Sequence, residues 1–162
     1  MPKATTITLI GIGQDLRGDS AAGMETVRLW QKTYPATAAD PRVCVKQPGM
    51  PGLELIELLG DTDAVLLVDA VQSGAVPGTL HLVKLEQVDP SVKPGGSSHG
   101  WGAGETLALA RELKYALPEQ IFILGIEAAS FAMDTPLSKA VSDSLAKAVE
   151  MIEDQIQWRF MM

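Results

Sequence analysis

Residues 64–71 read AVLLVDAV, an apolar run interrupted by a single acid and lacking any polar–apolar alternation. A strand with one wet face alternates. A run this uniformly apolar belongs to a strand covered on both faces, as in parallel sheets sandwiched between helices. TTITLIGI (5–12) and QIFILGIE (120–127) share the habit, and RVCVKQ (42–47) and GTLHLVKL (78–85) read as two further strands.

Helical patterns fall between these runs. Ala21 to Lys32 carries Met24, Val27 and Leu29 and ends at Tyr34-Pro35; LELIELLG is a short helix stopped by Gly60. ETLALARELKYA (105–116) spaces Leu107, Ala110 and Leu113 for one helical face. Thr135-Pro136 predicts the start of the last helix, with Pro at its first position and Leu137, Val141, Leu145, Ala148, Ile152 and Ile156 along one side.

The order β-α-β-α-β-β-α-β-α predicts an α/β fold, a three-layer α/β/α sandwich around a mostly parallel five-stranded sheet. Too few residues separate the third and fourth strands for a crossover helix, so the fourth is expected antiparallel or at an edge. A chain of 162 residues with 46% hydrophobic and 20% charged residues suits one domain spanning 1–162.

Thirteen basic residues against twenty acidic ones give a net charge of −7, which excludes a nucleic-acid footprint and suits a cation or a basic peptide segment. The lone cysteine, Cys44, rules out an internal disulfide framework and reads as a structural residue of a strand. MPKATTITLIGIG reads as a first strand rather than a signal peptide, and no run is long enough to span a membrane. The expected compartment is the cytoplasm.

Working residues in parallel sheets gather in loops beyond the strands' carboxyl ends. Three such loops carry unusual chemistry: 13–20, Asp69–Ser73 and 95–104. The first is a poor phosphate cradle. Gly11 and Gly13 begin a G-x-G-x-x-G pattern, but Leu16 holds its third slot, and Asp15 and Asp19 put negative charge where a pyrophosphate would sit. Asp69 reads either as a cap or as a metal-binding acid, and His99 either as a loop histidine or as its partner ligand. His81 reads as a sheet-face residue. Ser97 and Ser98 adjoin His99, but no G-x-S-x-G elbow supports a serine hydrolase.

Taken together, GIGQDLRGDSAAG, GMPGLELIELL, LLVDAVQSGAVPGTL, SSHGWGAGETLAL and GIE (125–127), in this order, resemble the motifs of the hydrogenase maturation proteases. The resemblance runs from the first strand to the last helix. It implies a three-layer α/β/α fold and an endopeptidase that removes a C-terminal extension from the large subunit of nickel–iron hydrogenases after nickel insertion. It implies that Asp69 and His99 contact nickel supplied by the precursor large subunit, which is both substrate and partner.

One position departs from the pattern. The family's acidic ligand in the first motif corresponds here to Ser20, a neutral hydroxyl that neither offsets a divalent charge nor acts as a base at pH 7. Three consequences stay open. Asp19 or Asp15 supplies the carboxylate, with Asp19 the candidate ligand and catalytic group; or two protein ligands suffice; or the chain binds the tail without cutting it. Glu127 reads as a residue closing the pocket or as a strand-end surface acid. A nucleotide-binding α/β module is the remaining alternative.

Overall fold

The first strand, β1 (Ile7–Ile12), is buried at every position, as its β-branched run requires. The structure, a computed structural model, describes residues 4–49, 51–52, 54–88 and 102–162. A single 3-10 turn (Gly18–Ala21) leads into α1 (Ala22–Thr33), whose Ala22, Met24, Val27 and Trp30 are buried. The helix stops where Tyr34 precedes Pro35, because a residue before proline is driven out of helical geometry. Pro35 then opens α2 (Pro35–Ala38), one turn that the sequence pattern did not predict.

The chain continues through β2 (Val43–Gly49), α3 (Leu55–Leu58), β3 (Ala64–Val71), β4 (Leu80–Lys84), α4 (Ala103–Glu112), β5 (Gln120–Glu127) and α5 (Lys139–Phe160). The five-stranded sheet has the order β2-β1-β3-β5-β4. Its β1–β2, β1–β3 and β3–β5 pairs are parallel, and β4 joins β5 antiparallel at the edge, as its short connection from β3 demands.

The two faces of the sheet bury separate clusters. Leu9, Leu66, Val68, Leu124 and Ile126 pack with Val27 and Trp30 of α1 and with Val141, Ala148 and Ile152 of α5. Ile10, Val65, Leu67 and Ile123 pack with Leu55 of α3 and with Leu107 and Ala108 of α4. Helices therefore cover both faces, which is the three-layer arrangement expected. On the α1–α5 side the Trp30 indole N–H donates to Glu153 at 2.9 Å, satisfying the polar atom of a side chain that is otherwise fully buried.

The last helix begins later than the proline predicts. Ser138 is its N-cap, with a hydroxyl that accepts the amide of Val141 at 3.3 Å, so Thr135 and Pro136 belong to the preceding loop. Cys44 lies on edge strand β2 and is exposed, so it is a strand residue but not a core one.

Candidate functional site

Chain order reverses at the β1–β3 boundary: β2 lies beyond β1 on one side, and β5 and β4 lie beyond β3 on the other. The loops leaving the carboxyl ends of β1 and β3 diverge there, the position at which open α/β sheets commonly place their ligands. The 3-10 turn carrying Asp19 and Ser20 packs against β3, and Asp69 sits in β3 two residues before its end.

Asp69 is 7% exposed. Alternation along β3 puts it on the same face as Val65 and Leu67, toward α4. Its Oδ2 accepts the amide of Ala103, the first residue of α4, at 3.1 Å. The cap reading of Asp69 is met by this contact with the first amide of α4, and the residue stands at the sheet's switch point. Gly102, at φ +51°, makes the close approach possible, since a Cβ there would lie 2.6 Å from Asp69 Oδ2.

Burial raises the Asp69 carboxyl to about 7, although the amides of Ala103 and Ala70 act in the opposite direction. An acid of this kind is half protonated near neutrality, and an arriving cation competes with its proton.

Asp19 has another task. It is completely buried, and its carboxylate is engaged by four donors: Ser138 N–H at 2.7 Å on Oδ1, and Ala129 N–H at 2.7 Å, Ser130 N–H at 3.2 Å and Ser138 Oγ–H at 2.9 Å on Oδ2. The Asp19 named from sequence as the candidate for the carboxylate missing at Ser20 is thus hydrogen-bonded at both of its oxygens. Its oxygens are spent on the β5–α5 loop and the N-terminus of α5. Asp15 is exposed on the surface, 3.7 Å from Arg28. Ser20 is buried within the 3-10 turn.

Glu127 is 2% exposed, so the surface-acid reading is overturned. It accepts Ser73 Oγ–H at 2.5 Å, Ser73 N–H at 2.9 Å and a His81 ring nitrogen at 3.1 Å. Burial opposes its charge, but the Ser73 hydroxyl and amide together with His81 outweigh that and hold its carboxyl below the usual range. Sequence reasoning missed the Ser73–Glu127–His81 cluster because 54 and 46 residues separate its members from Glu127.

His99, Ser97 and Ser98 lie outside the described residues. Among the described residues no group of three or more His, Cys, Asp or Glu side chains is placed to hold a metal. A cavity of about 650 Å³ opens at the opposite end of the sheet, lined by Lys84, Gln120, Phe122, Asp154 and Trp158, and takes no part in this site.

Gly23, in the first turn of α1, serves close packing. A Cβ on Gly23 would lie 2.2 Å from the Val68 carbonyl oxygen and 2.4 Å from that of Ile12, so α1 seats directly on β1 and β3. A family model described as HycI, hydrogenase maturation protease, matches residues 25–155. The chain belongs to the hydrogenase maturation protease family.

Other members and folds agree with this assignment. The hydrogenase expression/formation protein HoxM of Cupriavidus necator is 28% identical over 152 residues, covering 90% of this chain and 73% of that protein. HupD of Rhizobium leguminosarum bv. viciae, with the same description, is 26% identical over 151 residues, covering 92% and 73%. Among solved structures, the E. coli hydrogenase maturating endopeptidase HybD superposes with a TM-score of 0.76 at 22% identity, covering 94% of this chain and 93% of that one. The hydrogenase maturation protease HycI of Thermococcus kodakarensis gives 0.70 at 22% identity, covering 95% and 94%. These likenesses establish the fold as that of the maturation proteases.

Proposed function

We propose that this maturation protease is an endopeptidase that removes the C-terminal extension of a nickel–iron hydrogenase large-subunit precursor once nickel is in place, with Asp69 and His99 contacting that nickel. Family membership supports the reaction class. The observation that carries the reading is Asp69 itself: a buried carboxyl at the topological switch point, in a strand otherwise wholly apolar. The nickel belongs to the substrate. When engaged it supplies a Lewis acid that polarises the attacking water or the scissile carbonyl.

In this reading Asp69 and His99 decide whether cleavage starts, because a precursor without nickel offers their oxygen and nitrogen donors no metal to contact. Asp19 takes no ligand role in this scheme; it fixes the first loop against the β5–α5 loop. Processing of nickel-loaded precursor by the purified protein, followed by mass spectrometry of the released tail, tests the proposal. Wild type releases the tail, and Asp69→Ala and His99→Ala each slow release by at least about a hundredfold. Release at the wild-type rate by both variants would sink it.

Ser20 is the observation that favours a second reading, in which the tail is bound and not cut. Ser20→Glu separates the two. Under the peptidase reading this variant changes the rate by less than about tenfold; under the binding-only reading it creates cleavage that the wild type lacks.

A further inference from the structure

A groove of about 550 Å³ borders the turn that carries Ser20. Gly18 and Ala21, the two ends of that turn, line it, and the loop joining β5 to α5 forms its other side. Its volume lies within the range of ligand clefts, roughly 300–1,000 Å³. Leu16, Pro136 and Leu137 supply apolar walls, and Asp15, Glu25 and Asp134 supply charge of one sign. Among the described residues, no lysine or arginine lines it. Arg28 reaches Asp15 at 3.7 Å and Glu25 at 2.9 Å, which offsets one of the three charges and leaves the groove negative. The groove is open to solvent: Leu16 is 70% exposed, and the side chains of Asp15 and Glu25 are 64% and 38% exposed.

Backbone bonds fix its shape. Asp134 N–H donates to the Leu16 carbonyl at 2.7 Å, and Gly18 N–H donates to that of Thr135 at 3.0 Å. Leu16 and Asp134 both hold a left-handed backbone, at φ +64° and +57°. That conformation is unfavourable for a leucine, and burial does not offset it here, because the side chain faces solvent. The fold gains no core packing from Leu16. What its placement provides is an apolar surface beside three carboxylates. Such a surface complements a peptide on which a cationic side chain and an apolar one lie close together.

We propose that this groove docks a basic segment of the precursor's C-terminal extension. Its Lys or Arg side chains lie against Asp15, Glu25 and Asp134, and an apolar neighbour lies against Leu16 and Leu137. This rests on the reading that the precursor is the partner, and not on whether its tail is cut. Continuity with the Ser20 turn favours this occupant over a second copy of the chain. A peptide in the groove lies against that turn, which packs on β3, the strand of Asp69. Exposed charges are weak singly and screened by salt, so the groove sets the affinity for the tail and not the rate of the chemical step.

Titration calorimetry of the full chain with nickel-free precursor tests this without cleavage. A triple variant, Asp15→Asn, Glu25→Gln and Asp134→Asn, binds about tenfold more weakly than wild type, and the difference shrinks as salt rises. Asparagine tolerates the left-handed backbone at 134, so the groove keeps its shape. Precursor whose tail lysines and arginines are replaced by glutamine binds wild type just as weakly. Leu16→Gly relieves the strained backbone, yet it loses about threefold or more in affinity with a melting temperature no lower than wild type. A purely structural leucine would not separate those two readouts. With nickel-loaded precursor, the triple variant raises KM and keeps kcat within about threefold of wild type. Affinity of the triple variant within about twofold of wild type overturns the proposal, and so does equal binding of the glutamine tail. Loss of self-association in sedimentation equilibrium, at unchanged precursor affinity, overturns it in favour of a second copy. An unaltered triple variant alongside an inert Asp69→Ala removes this inference and spares the peptidase reading. Weakened binding by the triple variant, with wild type leaving nickel-loaded precursor uncut, does the reverse.

Discussion

Asp69 does two jobs with one carboxyl group, and they set opposite demands. The amide of Ala103 favours its charged form, while burial beneath α4 favours the neutral one, and burial prevails. The folded chain therefore holds this proton between about pH 4 and about pH 7, where the unfolded chain has released it. Its contribution to stability accordingly declines as pH rises across that window and stays lowest above it. The interval from 3.8 to about 7, at roughly 1.4 kcal/mol per pH unit, bounds the effect at on the order of 4 kcal/mol. Asp69→Asn removes the dependence: in urea titrations, its stability relative to wild type is higher at pH 8 than at pH 5. An equal difference at the two pH values would contradict the raised pKa. Asp69 was legible in the sequence as an acid out of place in a buried strand. The depth of its burial was not, because the helix that covers it comes 34 residues later.

At the scale of elements, Asp19 shows how a motif's residue types were legible and their hydrogen-bond partners were not. An acid in a glycine-rich turn after the first strand invites a ligand reading. The loop that claims its carboxylate arrives more than 100 residues later in the chain, and no local pattern announces it. The one available signal was Ser138, a better N-cap than Thr135 for the last helix, which would have placed a helix N-terminus near a residue able to bind it. Asp19→Ala leaves the amides of Ala129, Ser130 and Ser138 without their acceptor. Buried donors left in this way cost roughly 1–3 kcal/mol each, so the variant loses about 3 kcal/mol or more in equilibrium denaturation. A group serving only as a ligand would lose activity at wild-type stability instead.

Across the whole molecule, three layers stand at a spacing set by contacts without side chains. Gly23 lets α1 approach the carbonyl oxygens of Ile12 and Val68 in two neighbouring strands, and neither acceptor can move without disturbing the sheet. Gly23→Ala forces the α1–α5 layer outward, lowering stability by about 2–3 kcal/mol and, because the turn bearing Ser20 leads directly into α1, slowing precursor processing as well. A melting temperature equal to wild type would show that the layers have slack the geometry denies. The same topology explains why the candidate site lies between β1 and β3: only there do successive connections leave the sheet in opposite directions.

The sequence by itself determined the layers. Runs apolar on both faces require helices on both sides, a connection too short for a crossover turns β4 antiparallel, and periodic apolar spacing marks the buried side of α5. It also brought Asp69 forward as an acid at a strand's carboxyl end. Only the tertiary structure decided which donors each acid meets. Asp19 turns to a distant loop, Glu127 is sealed against Ser73 and His81, and Asp69 meets the first amide of α4. A carboxylate's role depends on the donors and the burial it meets, and those are supplied by segments that one-dimensional spacing does not bring together.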